Sequence, residues 1–285
     1  KKLLNKNFDE KNISQYIAKS IKLTSEVIFN KKPDVVIILG DRYELLGCAI
    51  AAMTFRVPIA HIHGGELTKG AYDDSIRHSI TKLSHLHFPV HNKYKKRLIQ
   101  LGEDPKSIFN YGGLGAHSIS NSKLLSKLEL ERYLKINLSN KIILVTFHPE
   151  TIQIASNELY SSIVFETLVE LCQANHIVIT LANADTMGKY YRDMAYMLKK
   201  KNSDFITLVD SFGKENYFSA VKSSKFLLGN TSSGIIEAAS FGKFVINVGK
   251  RQEGRLRSAN VFDVKFNKEE IINCVKKIEQ NLVYK

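Results

Sequence analysis

The sequence predicts an α/β chain of two Rossmann-like domains facing a cleft, the N-terminal one incomplete, and three observations predict it. Apolar periodicity switches repeatedly between about 2 and 3.6 residues, the mark of strands and helices alternating as parallel βα units. The run Val35-Val36-Ile37-Ile38-Leu39 is apolar throughout, as a strand covered on both faces is. Composition shifts to loop-like residues at Gly112-Gly113-Leu114-Gly115 and onward from His117 to Lys123, between two βα series, which puts a domain boundary near 120. A chain of 285 residues has enough length to bury two cores.

Each element follows in order. Residues 10–30 read as an amphipathic helix that Pro33-Asp34 ends, and 35–39 as a buried strand running into Gly40-Asp41-Arg42. A helix over 45–55, a strand over 58–62, a helix over 74–84, a strand over 86–89, a helix over 91–101 and a strand over 107–111 complete a first sheet of about four strands. Beyond the boundary, 142–147, 177–181, 205–208, 226–228 and 244–248 read as five strands with helices between them. The amphipathic stretch 268–280 either ends the second domain or crosses back to the first. Doubly wound domains usually begin with a strand whose following loop serves the ligand site, whereas this chain begins with a helix. It therefore reads as cut at its N-terminus.

Composition narrows the function classes. Hydrophobic residues make up 44% and charged residues 24%, which excludes a disordered chain, and three cysteines cannot form a complete pairing framework. Cys48, Cys172 and Cys274 read as core filler in a reducing compartment. No apolar run reaches the roughly 18 residues of a membrane span, and no export signal is visible. A soluble cytoplasmic protein with no membrane partner is expected. The net charge of +13 invites a nucleic-acid reading. Its lysines are scattered, however, with no basic stripe between stacking aromatics, so a solvated surface that steers a small anion is expected instead.

Ligands of open α/β sheets bind beyond the carboxyl ends of strands, and four such places carry unusual polar groups. At Gly40-Asp41-Arg42-Tyr43-Glu44, Asp41 suits a helix N-cap, with Glu44 three residues on, and also suits a catalytic carboxylate. His61-Ile62-His63-Gly64-Gly65-Glu66, continuing to Asp73-Asp74-Ser75-Ile76-Arg77-His78, gathers histidines, carboxylates and an arginine. Period-2 spacing sends His61 and His63 to one side, Asp73 or Asp74 caps the next helix, and Arg77 faces back toward the loop. Crowded carboxylates have proton affinities pushed apart, so one can act as base while another stays protonated. His85, His87 and His91 read as packing or surface residues. Third is His148 in Thr146-Phe147-His148-Pro149-Glu150. Fourth is Gly229-Asn230-Thr231-Ser232-Ser233-Gly234 opening a helix over 235–240, where free N–H groups suit a phosphate and Glu237 suits ribose hydroxyls. Asn183-Ala184-Asp185 and the basic segment 249–257, with Arg251, also follow strands. Pattern alone thus describes a cleft enzyme acting on a nucleotide-linked substrate.

These motifs together resemble the UDP-N-acetylglucosamine 2-epimerases, which have the two-domain glycosyltransferase-B fold. The form His-x-His-Gly-Gly-Glu is most similar to the hydrolysing branch that makes N-acetylmannosamine for bacterial sialic acid synthesis. The resemblance implies elimination of UDP across C1–C2 to a 2-acetamidoglucal, then addition of water with inversion at C2. Asp41, Glu66 and Asp73 would share the proton transfers and His148 would assist near the diphosphate. Arg42, His63, Arg77, Asn183, Asn230, Ser232, Ser233, Gly234, Glu237 and Arg251 would bind the UDP-sugar. No metal or other cofactor is implied, and a homo-oligomer, dimer or tetramer, is expected. The sequence departs from the family pattern at His63, where non-hydrolysing relatives and some hydrolysing ones carry a catalytic glutamate, so Glu66 either substitutes for it or shares its role. Four rivals remain: a UDP-diacetylbacillosamine 2-epimerase, a UDP-sugar glycosyltransferase of the same fold, a hydrolase using His61, His63 and Asp73 as metal ligands, and a non-catalytic UDP-sugar-binding fragment.

Overall fold

A computed structural model describes residues 10–69, 73–138, 142–150, 154–182 and 188–280. The chain divides into two compact units, Lys1–Leu114 and Gly115–Lys285, a few residues before the expected boundary. Among the described residues no helix is long and apolar enough to cross a membrane.

Unit 1 begins with α1 (Glu10–Lys31), then β1 (Val36–Leu39), α2 (Tyr43–Thr54), β2 (Ile59–Ile62), α3 (Asp73–Leu83), β3 (Leu86–Phe88) and α4 (Asn92–Gln100). The strands pair in parallel in the order β1-β2-β3. The expected fourth strand shrinks to a single bridge between His87 and Ile108, because Pro105 and Ser107 lie in a 3-10 turn immediately before it. β1 also differs from its expected burial. Among the described residues it lies at the sheet edge, and its two faces differ: Ile38 turns into the core at 2% exposure while Ile37 and Leu39, on the other face, stand 67% and 53% exposed. α1 and α2 cross closely at Gly47, where a Cβ would lie 2.7 Å from the Ile17 carbonyl, and Ser20 Oγ donates to Glu44 O at 2.6 Å.

α5 (Leu114–Ser120), a short helix in the stretch expected to be loop, begins on the last residue of unit 1 and leads into unit 2, where α6 (Lys127–Leu134) follows. The latter is closed by a Ser126–Glu129 capping box. There follow β4 (Ile142–Thr146), α7 (Asn157–Leu171), β5 (His176–Thr180), α8 (Gly188–Lys201), β6 (Ile206–Val209), α9 (Lys214–Ser223), β7 (Ser224–Gly229), α10 (Ser232–Ile236), β8 (Phe244–Val248), β9 (Val261–Val264) and α11 (Lys268–Gln280). α10 starts and ends earlier than expected, and a 3-10 turn over Ala238–Phe241 follows it. The six strands are parallel in the order β6-β5-β4-β7-β8-β9, one more than expected. This is the doubly wound order 3-2-1-4-5-6, whose strand sequence reverses between its central pair, here β4 and β7. α11 completes unit 2, with Ile271, Ile272, Val275 and Ile278 buried in the same core as β4 and α7.

Candidate active site

The chemistry of unit 1 collects at the carboxyl ends of β1 and β2. Asp41 is not a helix cap: Arg42 holds the N-cap position of α2, with no side-chain capping bond, and the Asp41 carboxylate instead pairs with Arg77 of α3. Arg77 is 1% exposed. Its guanidinium also donates to Thr68 Oγ1 at 2.9 Å, Glu66 O at 3.2 Å and Asp74 Oδ1 at 3.2 Å. One buried cation thus draws together the β1 end, the loop after β2 and the start of α3. A guanidinium suits this place because its rigid fork offers five donors and stays charged when buried.

The expected Asp74 cap is likewise replaced. Asp74 Oδ1 accepts the Thr68 N–H at 2.6 Å, tying the loop to the helix rather than capping the helix. Asp73 is the first residue of α3 and is partly buried. Glu66 is 3% exposed, and its Oε1 lies 2.6 Å from His63 Nδ1. Arg97 clamps the same loop through Gly65 O at 2.7 Å. Arg42 Nε donates to Glu44 Oε1 at 2.9 Å.

His61 does something other than face a ligand. It is fully buried, with Nε2 2.9 Å from Gly40 O and Nδ1 3.2 Å from Thr81 Oγ1. Burial lowers its pKa to about 4, so the ring is neutral at neutral pH. A carbonyl only accepts, so Nε2 carries the hydrogen and Nδ1 receives the threonine hydroxyl. His61 therefore fixes the carbonyl immediately before Asp41. His87 is buried beside Glu103, His85 Nδ1 accepts the Ile59 N–H, and His91 caps α4. Among the described residues no three His, Cys, Asp or Glu side chains gather in a way that would hold a metal ion.

In unit 2 the polar groups converge on the β4/β7 switch point, where doubly wound sheets open a crevice. Gly229 ends β7 so close to β4 that a Cβ there would lie 1.9 Å from Thr146 O. Asn230, fully buried, then bridges back to His148: its Oδ1 accepts the His148 N–H at 2.7 Å and its Nδ2 donates to His148 O at 2.8 Å. Asn230 is thus a positioning residue, its amide engaged by backbone on both sides. Its own carbonyl accepts from Gln252 Nε2 at 2.9 Å and Arg251 at 3.3 Å, which brings the basic segment to the same place. Glu150, 3% exposed, accepts the Lys250 N–H at 2.6 Å and anchors the start of that segment.

A cavity of about 290 Å³ opens at these strand ends, near the lower bound for ligand sites. His148, Thr180, Phe212, Tyr217, Thr231 and Ser233 line it. Thr180 Oγ1 is buried there with no hydrogen-bond partner among the described residues. Ser233 Oγ lies 2.7 Å from the Tyr217 hydroxyl and bonds Glu237. Burial pushes the Tyr217 phenol up to about 12 and raises the Glu237 carboxyl above the usual carboxylate range. Thr231 is the N-cap of α10 without a side-chain capping bond, Ser232 is its partly exposed first residue, and Gly234 packs against Val245. The structure therefore gathers His148, Asn230, Ser233, Glu237 and Arg251 in one region. Asn183 lies outside the described residues. Tyr217 and Thr180 escaped sequence reasoning because an aromatic in a helix and a threonine ending a strand both look like ordinary core. The position of Thr180, last in a strand of a parallel sheet, was the available signal.

Comparison with known proteins gives this arrangement a family. A family model described as UDP-N-acetylglucosamine 2-epimerase matches residues 2–285. The chain is 41% identical over 261 residues to the GDP/UDP-N,N'-diacetylbacillosamine 2-epimerase (hydrolyzing) of Campylobacter jejuni, covering 92% of this chain and 68% of that protein. It is 42% identical over 253 residues to polysialic acid biosynthesis protein P7 of Escherichia coli, covering 86% and 62%. It thus spans about two thirds of the length of these relatives. Among solved structures, the UDP-GlcNAc 2-epimerase of Neisseria meningitidis bound to UDP-GlcNAc superposes with a TM-score of 0.81 at 18% identity, covering 97% of this chain and 76% of that one. The fold is that of these epimerases, with two Rossmann-like parallel sheets of the glycosyltransferase-B class. The chain belongs to the UDP-N-acetylglucosamine 2-epimerase family.

Proposed function

We propose that the protein is a hydrolysing UDP-N-acetylglucosamine 2-epimerase, releasing UDP and N-acetylmannosamine for sialic acid synthesis. The observation that carries this reading is the buried Arg77, which binds Asp41 and the Glu66 loop into one acidic cluster at the ends of β1 and β2. Breaking a C2–H bond near neutral pH needs positioned bases and stabilisation of the developing charge, and this cluster supplies the first. In the proposal Asp41, Asp73 and Glu66, the last either directly or through a neighbouring side chain, share the proton transfers. The unit 2 cavity takes the UDP portion, with His148 and Arg251 near the diphosphate and Ser232, Ser233 and Glu237 on the nucleotide. Elimination then gives UDP and 2-acetamidoglucal, and water adds across the double bond. The three cysteines of the described residues are free thiols, which fits a cytoplasmic setting. A homo-oligomer belongs to the same proposal.

The 41% identity to a hydrolysing diacetylbacillosamine epimerase favours a second substrate, UDP-N,N'-diacetylbacillosamine, with the same chemistry. Full-length protein incubated with either nucleotide sugar in heavy water, without an acceptor, separates the readings. UDP should appear together with the 2-epimeric free sugar carrying deuterium at C2, and the better substrate is the one with the higher kcat/KM. Release of UDP only when an acceptor is added would make it a glycosyltransferase. Asp41→Asn and Asp73→Asn should each lower kcat on the order of 10²-fold or more. Unchanged turnover in both would remove the assigned acid–base roles.

A further inference from the structure

We propose that His63 is the proton carrier at the substrate and that Glu66 acts behind it, the two forming a carboxylate–imidazole dyad. This rests on the epimerase reading above and names the atom that does the work. Glu66 is nearly out of solvent, its side chain 4% exposed, while the side chain of His63 that contacts it is 19% exposed. The 2.6 Å contact joins Oε1 to Nδ1. A carboxylate oxygen accepts, so Nδ1 carries the hydrogen, which leaves Nε2 as the atom that takes and gives the proton. Among the described residues Nε2 has no protein hydrogen-bond partner, and it is not one of the buried polar atoms left unpaired.

The backbone gives a second, independent observation. His63 has φ +68, in the left-handed region that side chains other than glycine seldom enter. Its neighbours enforce this conformation. The His63 N–H donates to Phe88 O at 3.1 Å, and Gly65 follows at φ +78 with no room for a Cβ beside Tyr94 O. Arg97 and Arg77 hold the carbonyls of Gly65 and Glu66. Strain of this kind persists where surroundings over-determine it and concentrates at functional sites. Here it turns the ring back onto Glu66, three residues ahead.

The step balances as follows. Nε2 takes the proton from C2 as the C–H electron pair becomes the C1=C2 double bond. The C1–O pair leaves with the diphosphate. The imidazolium keeps its Nδ1–H on the Glu66 carboxylate, which stabilises the charge the ring has gained, as in other carboxylate–histidine pairs. Its Nε2 proton then passes to water, and in the second half-reaction water supplies hydroxide to C1 while C2 is protonated from the other face.

His63→Gly in the full-length protein is the test, since glycine accepts φ +68 without strain and leaves space for a free ring. Its kcat should fall on the order of 10²-fold with little change in KM, and added imidazole should restore turnover in a saturable way. Glu66→Gln should fall comparably. The double variant should be no slower than the slower single one, and imidazole should fail to rescue it, because the dyad is lost as a unit. A pair that merely staples the loop would give additive losses and no rescue, which overturns the proposal, as does a His63→Gly variant with wild-type kcat. Wild-type protein that releases no UDP from either nucleotide sugar would instead sink the epimerase reading, and this inference with it.

Discussion

Arg77 and Glu237 show two ways of keeping a charge indoors. Arg77 is surrounded by acceptors, so cutting it back removes the cation that Asp41 and Asp74 share. Losing one partner of such a buried pair costs about 3–5 kcal/mol. Glu237 has no cation among its named partners, only the Ser233 hydroxyl, and burial raises its pKa. Folding therefore disfavours its ionised form. The unfolded chain ionises this residue in the ordinary carboxylate range, so the penalty is absent at low pH and grows as pH rises through the raised folded value. Glu237→Gln should consequently raise Tm by a few degrees at pH 8 and barely change it at pH 4. UDP binding should weaken in the same variant. Thermal scans at the two pH values check the first half and calorimetric titration with UDP the second. An equal Tm change at both pH values would mean that Glu237 is not held above its ordinary range.

At the scale of elements, the site depends on two strands that nearly touch. Gly229 has φ +151, and a Cβ there would meet the Thr146 carbonyl, whose oxygen also accepts the Asn230 N–H at 3.1 Å. Backbone in a central parallel pair cannot yield. Gly234 is tight for a different reason, its Cβ falling 2.9 Å from a Val245 methyl that can rotate away. Gly229→Ala should therefore cost about 4 kcal/mol or more, and Gly234→Ala about 1–3 kcal/mol, in urea denaturation. Equal losses would show that β7 does not need its close approach to β4. These elements also show what could be read from sequence. The strands β4, β5 and β8 declare themselves by runs rich in β-branched residues, and the end of β8 also by Gly249. β9, Val261–Val264, is an edge strand with Asp263 pointing out, too short and too polar to announce itself. β1 has the composition of a strand buried on both faces, but only the face of Val36 and Ile38 packs into a core among the described residues, which composition does not report. Asp41 has the right type and position for a cap. The distant Arg77, thirty-six residues on, takes it away, and no local pattern contains that contact.

For the molecule as a whole, the two units differ in how they should respond to acid. Among the described residues, the core cluster of unit 1 has nine buried apolar side chains, against twenty-five and eleven in the two clusters of unit 2. Unit 1 also carries His61, His78 and His87, each with its pKa lowered chiefly by burial, and in unit 2 His176 is lowered for the same reason. An unfolded histidine takes up a proton near pH 6.5, but folded His61 refuses one until about pH 4. Its contribution to stability is thus complete above pH 6.5 and is lost as pH falls toward 4, on the order of 3 kcal/mol across that window. His78 and His87 act in the same direction. With a smaller core to lose it from, unit 1 should open first. Hydrogen exchange followed from pH 7.5 to 4.5 should show the amides of β1, β2 and α3 losing protection before those of β4 and β7. His61→Gln keeps a donor toward Gly40 O without a titrating ring, so it should reduce the pH dependence of unit 1 and leave that of unit 2 unchanged. If both units lose protection at the same pH, or if the glutamine variant keeps the wild-type slope, buried histidine is not what makes unit 1 sensitive to acid.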